Sequence, residues 1–350
     1  MTQDLFRQGG PHNVRKTGRD QYTMSISLPT DSLGMAAREC IDPACSPGSF
    51  KVKCGTGLTG EQAQAFCPYC RAAADPQGFS TQDQVRYVKD VAMNEAREGI
   101  ERMFKSALGL GPTGKKKLGG GLISVEMSYK PGRRTPVRRP WEEQLRRDVA
   151  CPKCTLEHAV YGLAVWCPDC GHDIFVRHVE AESEVLRAML NDVERRNAEL
   201  GPRVAARDIE NGLEDVVSIM EAAFKAMARR KMLTDGDAPE VVEATMVKRV
   251  RSRFQSYDGV IETLDQLFGF DAACILSHAD AARLRSTLEK RHPITHNLGI
   301  VDRKYLEKVR SGEAEGRDVS LDENEVLSAL NDVLSLVRST HSCLFVEQAE

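Results

Sequence analysis

The segment Arg291-His292-Pro293-Ile294-Thr295-His296 holds the residue types in this chain best suited to chemistry. An arginine presents a planar fork of donors that matches phosphate oxygens. A histidine titrates nearest neutrality and so can give or take a proton. Arg291 and His296 thus offer a phosphate clamp and a proton-transfer group in one short stretch, with the polar His292 directly after the arginine. No metal-ligand set accompanies them in the C-terminal half, so the indicated chemistry is cleavage of RNA without a metal. That reaction needs a base for the 2'-hydroxyl, an acid for the leaving 5'-oxygen and positive charge on the phosphate. His292 is a second proton-transfer group or a polar orienter, and Asn297 is placed to fix an imidazole or the phosphate. Pro293 biases His292 away from helical geometry, which predicts a helix end or kink there. Such a break would let Arg291 and His296 converge. The other reading is a capped helix end, with Arg291 and His292 on carbonyls and His296 merely packed.

The arginine, four intervening residues and the histidine, with a polar residue following the arginine, resemble the signature of the HEPN family. The resemblance covers residues 203–350 and implies a small all-α domain. It implies a metal-independent endoribonuclease, a toxin or antiviral abortive-infection effector, whose Arg291, His292, His296 and Asn297 meet their copies across a homodimer. RNA is the substrate so implied, with an antitoxin or a phage-derived trigger as further partners. A non-catalytic zinc-ribbon and helical module that binds nucleic acid or a protein stands as the alternative.

The cysteines carry a separate signal. Of eleven, nine fall between residues 40 and 170. In a reducing compartment such abundance reads as metal binding rather than disulfides. Cys151, Cys154, Cys167 and Cys170 form two Cys-x2-Cys knuckles around the strand-like TLEHAVYGLAVW. Four thiolates close a tetrahedral zinc site with no position left for water. Cys40, Cys45, Cys67 and Cys70 are the expected ligands of a first site, with Cys54 in place of Cys40 as the alternative. Two structural Zn2+ ions are therefore expected. Cys274 and Cys343, alone on helical segments, read as buried small apolar residues.

These centres sit in a chain of 350 residues, 41% hydrophobic and 28% charged, with a net charge of -3. Such a chain should hold two or three domains. The fold class expected is mainly α, a C-terminal antiparallel helical bundle with two small N-terminal β zinc ribbons. The organisation reads as a mobile tail (1–34), a first ribbon (35–78), a helix (79–108), a basic Gly/Pro-rich linker (109–145), a second ribbon (146–178), a connecting helix (179–202) and the helical domain (203–350). Residues 114–141 carry eight Lys or Arg and a single acid, Glu126. Within that linker GLGPTGKK lacks the Ser or Thr and the following helix of a phosphate-binding loop. Gly201-Pro202 marks a boundary, and beyond it the periodicity is helical. One stripe runs Leu213, Val217, Met220, Phe224, Met227; a second runs Val247, Val250, Phe254, Tyr257, Ile261, Leu264, Phe268. A third is Val326, Leu330, Val333, Val337, with Ser320 and Glu323 as a capping box for its helix. No apolar run approaches the roughly 20 residues that span a bilayer. MTQDLFRQGG lacks the apolar core of a signal peptide, so a cytoplasmic protein is expected.

Overall fold

The computed structural model describes residues 5–6, 8–19, 21–58, 62–110, 114–118, 125–130, 136–137, 147–309 and 312–345. The chain divides into two units, one of residues 1–161 with 167–171, the other of 162–166 with 172–350.

The first unit holds the strands. They are β1 (Arg15–Lys16), β2 (Tyr22–Thr23), β3 (Met35–Glu39), β4 (Ser49–Lys53), β5 (Ala65–Phe66), β6 (Ala73–Ala74), β7 (Lys115–Leu118), β8 (Val125–Ser128), β9 (Arg147–Ala150) and β10 (Glu157–Val160). The two ribbons expected as separate modules are fused. Their strands form one four-stranded antiparallel sheet in the order β3-β4-β10-β9. The seam pairs Phe50 with Val160 and Val52 with His158. Phe50, Ala159 and Val160 are all but fully buried there. A buried ion pair supports the same sheet, with Lys51 Nζ 2.9 Å from Asp31. Burial opposes ionisation of Asp31, yet hydrogen bonds from the Met35 amide, Lys51 and the Leu33 amide outweigh it and lower its pKa.

Residues 1–34 were expected as a mobile tail, but those described fold back on themselves. β1 pairs with β2, Val14 is buried, and the Phe6 ring meets the edge of Tyr22. These scattered apolar side chains anchor a segment that looks polar on average. The helix α1 (Gln82–Ala107) matches the expected 79–108, and Thr81 and Gln84 close a reciprocal capping box at its start. Inside the basic linker, β7 and β8 form a hairpin. The remainder of that linker lies outside the described residues.

The second unit is helical. It comprises α2 (Phe175–Asn191), α3 (Val193–Leu200), α4 (Pro202–Thr234), α5 (Pro239–Thr245), α6 (Tyr257–Phe268), α7 (His278–Glu289), α8 (Arg291–Asn297), α9 (Arg303–Lys308) and α10 (Glu323–Phe345). Gly201, at φ 93°, ends α3, and Pro202 opens α4 at a position where its missing amide costs nothing. That junction is a turn within one core, not a domain boundary, because α2 and α3 pack against α4. Val179, Leu186 and Leu190 join Leu213, Met220, Phe224, Leu330 and Val337 in a single buried cluster. The segment 179–202, expected as a connector, is thus part of the bundle.

Three local readings change. Val247 is 69% exposed, and Met246 takes its place in the core. A π-helical turn over Met246–Val250 shifts the register by one residue. The helix α10 is capped by Asp322, whose carboxylate accepts from the Glu325 amide at 2.9 Å, instead of by Ser320. Cys274 and Cys343 are exposed and not buried.

A polar cluster ties α2, α4 and α10 together. Asp173 accepts from Arg230 at 2.5 Å, from the Phe175 amide at 3.0 Å and lies 3.2 Å from His341 Nε2. The Arg230 guanidinium is 4.4 Å from the Trp166 ring centroid and 3.9 Å from that of Phe345. Burial alone would raise the Asp173 pKa, but His341, the Phe175 amide and Arg230 together pull it down to about 2. A carboxylate whose folded pKa is depressed contributes stability above its unfolded pKa of 3.8 and loses it as pH falls through about 2. Asp173→Asn should therefore destabilise the helical unit at pH 7 by about 2 kcal/mol. The difference from wild type should shrink between pH 4 and pH 2, the window set by those two values. Urea unfolding followed by fluorescence of Trp166 measures this; a difference that stays constant down to the acid limit contradicts it.

Candidate functional site

Two tetra-cysteine clusters lie in the first unit. Cys40, Cys45, Cys67 and Cys70 form one, Cys151, Cys154, Cys167 and Cys170 the other, with the sulfurs of each within 4.8 Å of one another. The spacing is that of metal ligands and not of disulfides. Sγ–Sγ distances are 3.5 Å for Cys40–Cys70, 3.7 Å for Cys45–Cys67, 3.7 Å for Cys151–Cys170 and 3.5 Å for Cys154–Cys167. A disulfide would bring sulfurs to about 2.05 Å. Four sulfurs each ~2.3 Å from one ion, at tetrahedral angles, stand about 3.8 Å apart. Cys54 is exposed and belongs to neither group.

The local backbone explains the clustering. After each Cys-x2-Cys pair the next residue turns left-handed, at φ 64° for Arg71, 63° for Thr155 and 62° for Gly171. Its amide donates back to the first cysteine's carbonyl, at 3.1, 2.9 and 3.0 Å respectively. This tight turn aims both thiols at one point. A Cβ on Gly171 would stand 3.1 Å from the Phe66 ring, a tight contact that glycine avoids, whereas Arg71 and Thr155 carry side chains at the same φ. The wider Cys40–Cys45 pair uses another closure, in which the Cys40 amide donates to Gly48 O at 2.8 Å. Amides of Asp42 and Asp169 each reach a cysteine sulfur at 3.4 Å.

Without a cation the thiols restrain one another. The hydrogen bond from Cys67 pulls the Cys70 pKa down to about 5. Burial, followed by the charge of Cys70, pushes Cys45 up to about 12, and burial does the same to Cys154. A bound dication would ionise all four, so uptake must release protons. Four sulfurs complete a tetrahedral shell, which makes each cluster a structural centre. A metal ion of that preference fits both.

The second candidate site is in the helical unit. The break near Pro293 falls a turn earlier than expected, since α7 ends at Glu289 and His292 and Pro293 are both inside α8. A proline at 293 offers no amide to the Glu289 carbonyl and its ring crowds that oxygen, so the hydrogen-bond ladder is interrupted at Lys290 while its backbone stays helical. Arg291 and His296 therefore share one short helix, where residues five apart face different ways. The arginine is held by neighbours. Arg291 Nη2 donates to Gln255 Oε1 at 2.9 Å, and Nη1 lies 3.4 Å from Glu214. Thr295 donates to the same Glu214 carboxylate. Gln255 is fixed in turn by donating to Glu221 at 2.8 Å. Two of the guanidinium's five N–H groups are engaged, leaving donors for a phosphate.

Arg291 and His292 line a cavity of about 190 Å³ with Gln255, Tyr257 and two ion pairs, Arg285 with Asp258 and Lys308 with Glu289. His296 is outside that lining, one turn along α8, with its ring centroid 5.1 Å from that of His292. Burial and the nearby charge of Lys304 lower the His292 pKa, against the pull of Asp302 at 3.9 Å. That shift favours the unprotonated form of His292. Asn297 uses its amide to hold the Ile300 carbonyl at 2.8 Å, closing the C-terminal turn of α8. Glu214, Gln255, Arg285 and Lys308 were not anticipated. Nothing in the local sequence marks them, because they reach the site from other helices.

No family model matches the chain, and no curated protein or solved structure matches it either. Among the described residues, no helix is long and apolar enough to cross a membrane.

Proposed function

We propose that the chain is a metal-independent endoribonuclease of the HEPN type, acting as a toxin or an antiviral effector, with two structural zinc ions in its cysteine-rich unit. The observation that carries the reading is that Arg291 and the His292 imidazole line one cavity, with a second imidazole, His296, one turn away. In this mechanism His292 takes the proton from the 2'-hydroxyl, since a base must be unprotonated at the start. The 2'-oxygen attacks phosphorus as the bond to the 5'-oxygen breaks. His296 protonates that leaving oxygen, and Arg291 offsets charge on the phosphate. A homodimer through the helical unit brings a second copy of the exposed His296 within reach of the same phosphate. Eleven cysteines without a disulfide among them suit a reducing compartment, the cytoplasm.

A second reading has its own observation. Arg291 and Thr295 both engage Glu214, which alone is enough to fasten α8 to α4. On that reading the chain is a non-catalytic module that binds nucleic acid or a protein. Incubating the full chain with labelled RNA and a brief excess of chelator separates the two. Cleavage that continues supports the nuclease; intact RNA at every enzyme concentration supports the binding module.

A further inference from the structure

The turn between α5 and α6 carries Lys248, Arg249, Arg251 and Arg253 within six residues. Their exposure follows from the residues between them. Met246, Val250 and Phe254, spaced by four, are 5%, 0% and 0% exposed and pull one side of the turn into the core. The cations on the other side are left in solvent.

Most charged residues of this unit have partners, as Arg285 does in chelating Asp258 and Arg195 in bridging Asp192 and Glu199. The turn differs. Among the described residues, Lys248, Arg249 and Arg251 make no ion pair, and Arg253 only approaches Glu262 at 3.6 Å. All four line one cavity of about 450 Å³ together with Ser252 and Gln266, and no carboxylate is in that lining. Like charges gathered without a counter-charge repel one another unless an anion joins them. The backbone makes the same point. Arg251 sits at φ 47° and ψ -116°, with its amide donating to Met246 O at 2.9 Å. Glycine would adopt that conformation without strain, yet the position holds a cationic side chain.

The shape and place of the cavity narrow the ligand. No aromatic ring lines it, so bases have nothing to stack on and the contacts available are to a charged backbone. Ser252 lines both this cavity and the one that holds Arg291 and His292, so the two are neighbours. We propose that the Lys248–Arg253 turn is a phosphodiester-binding track that holds the backbone of RNA beside the Arg291–His292 cavity. The identity of the ligand rests on the RNA-directed reading of that second cavity.

The test measures binding and cutting separately. In the full-length His296→Ala chain, which leaves RNA whole, Lys248→Gln, Arg249→Gln and Arg251→Gly are combined. Glycine suits the left-handed backbone at Arg251, and circular dichroism confirms that the helices persist. Anisotropy of a fluorescein-labelled single-stranded RNA is then read across a salt series. Affinity at low salt should fall roughly tenfold or more, and the salt slope should become shallower by about two, at ~0.7 per lost phosphate contact. Arg195→Gln, which removes an exposed charge elsewhere, should change neither. An unchanged slope in the triple variant overturns the track, as does an equal loss in Arg195→Gln. RNA bound through this turn but never cut by the chain with His296 intact keeps the track and overturns the nuclease. RNA cut normally by a chain whose salt slope ignores the turn does the reverse. No affinity for RNA at all removes both.

Discussion

Cys151→Ser or Cys170→Ser should leave the purified chain with fewer than two metal ions and unfold its cysteine-rich unit. Each cluster supplies four sulfurs and no water position, so losing one ligand opens the shell. Structural zinc contributes on the order of 10–16 kcal/mol of apparent binding free energy in small ribbon-like peptides. That is comparable to the whole ~5–15 kcal/mol net stability of an ordinary domain. The shared sheet adds a consequence. Because β10 of the second cluster pairs with β4 of the first, loss of one ion should weaken the hold on the other. Elemental analysis should find two ions per wild-type chain and, in the variants, close to none. The helical unit should keep its circular dichroism, since its core contains none of the ligating cysteines. Two independent sites, with one ion retained at full affinity, would contradict the coupling. One ion or none in wild type would contradict the sites themselves.

Arg291→Ala and His296→Ala should each abolish RNA cleavage while leaving the helices folded. A positioned acid or base is typically worth ~10²–10⁴-fold, so the loss should bring activity near background. His296 is exposed, and its truncation opens no core cavity. Arg291 is half-buried beside Glu214, and removing it leaves that carboxylate with Thr295 as partner. Arg291→Lys should rescue poorly, because an ammonium cannot make the bidentate contact of a guanidinium. His292→Ala should also be severe if His292, the imidazole that lines the cavity, is the proposed base. Growth toxicity should follow the same order. A fully active His296→Ala chain would return α8 to the role of a fastened helix.

Three of the four cysteine pairs were readable from sequence because knuckle geometry is local, set by two residues between cysteines and a left-handed residue after them. What joins the two clusters was not. The β4–β10 pairing links Val52 with His158, and no short-range pattern announces a partner that distant. The helical stripes were legible in Leu213, Met220 and Phe224, where the period is regular. They failed at Val247, where one extra residue in a π-turn exchanges the inward and outward positions. At Pro293 the type of disturbance was readable but its place was not. The ring acts on the carbonyl four residues back, so the ladder is interrupted at Lys290. The setting of Arg291 was invisible for the same reason as the sheet. Glu214 and Gln255 come from segments 77 and 36 residues away.

The most direct test of RNA cleavage by Arg291, His292 and His296 is the chemistry of the severed ends. RNA treated with the full chain in the presence of chelator is analysed by mass spectrometry. Attack by the neighbouring 2'-oxygen should leave a 2',3'-cyclic phosphate on one fragment and a free 5'-hydroxyl on the other. Fragments bearing 5'-phosphates, or cleavage that stops at once when free divalent metal is removed, would contradict that account.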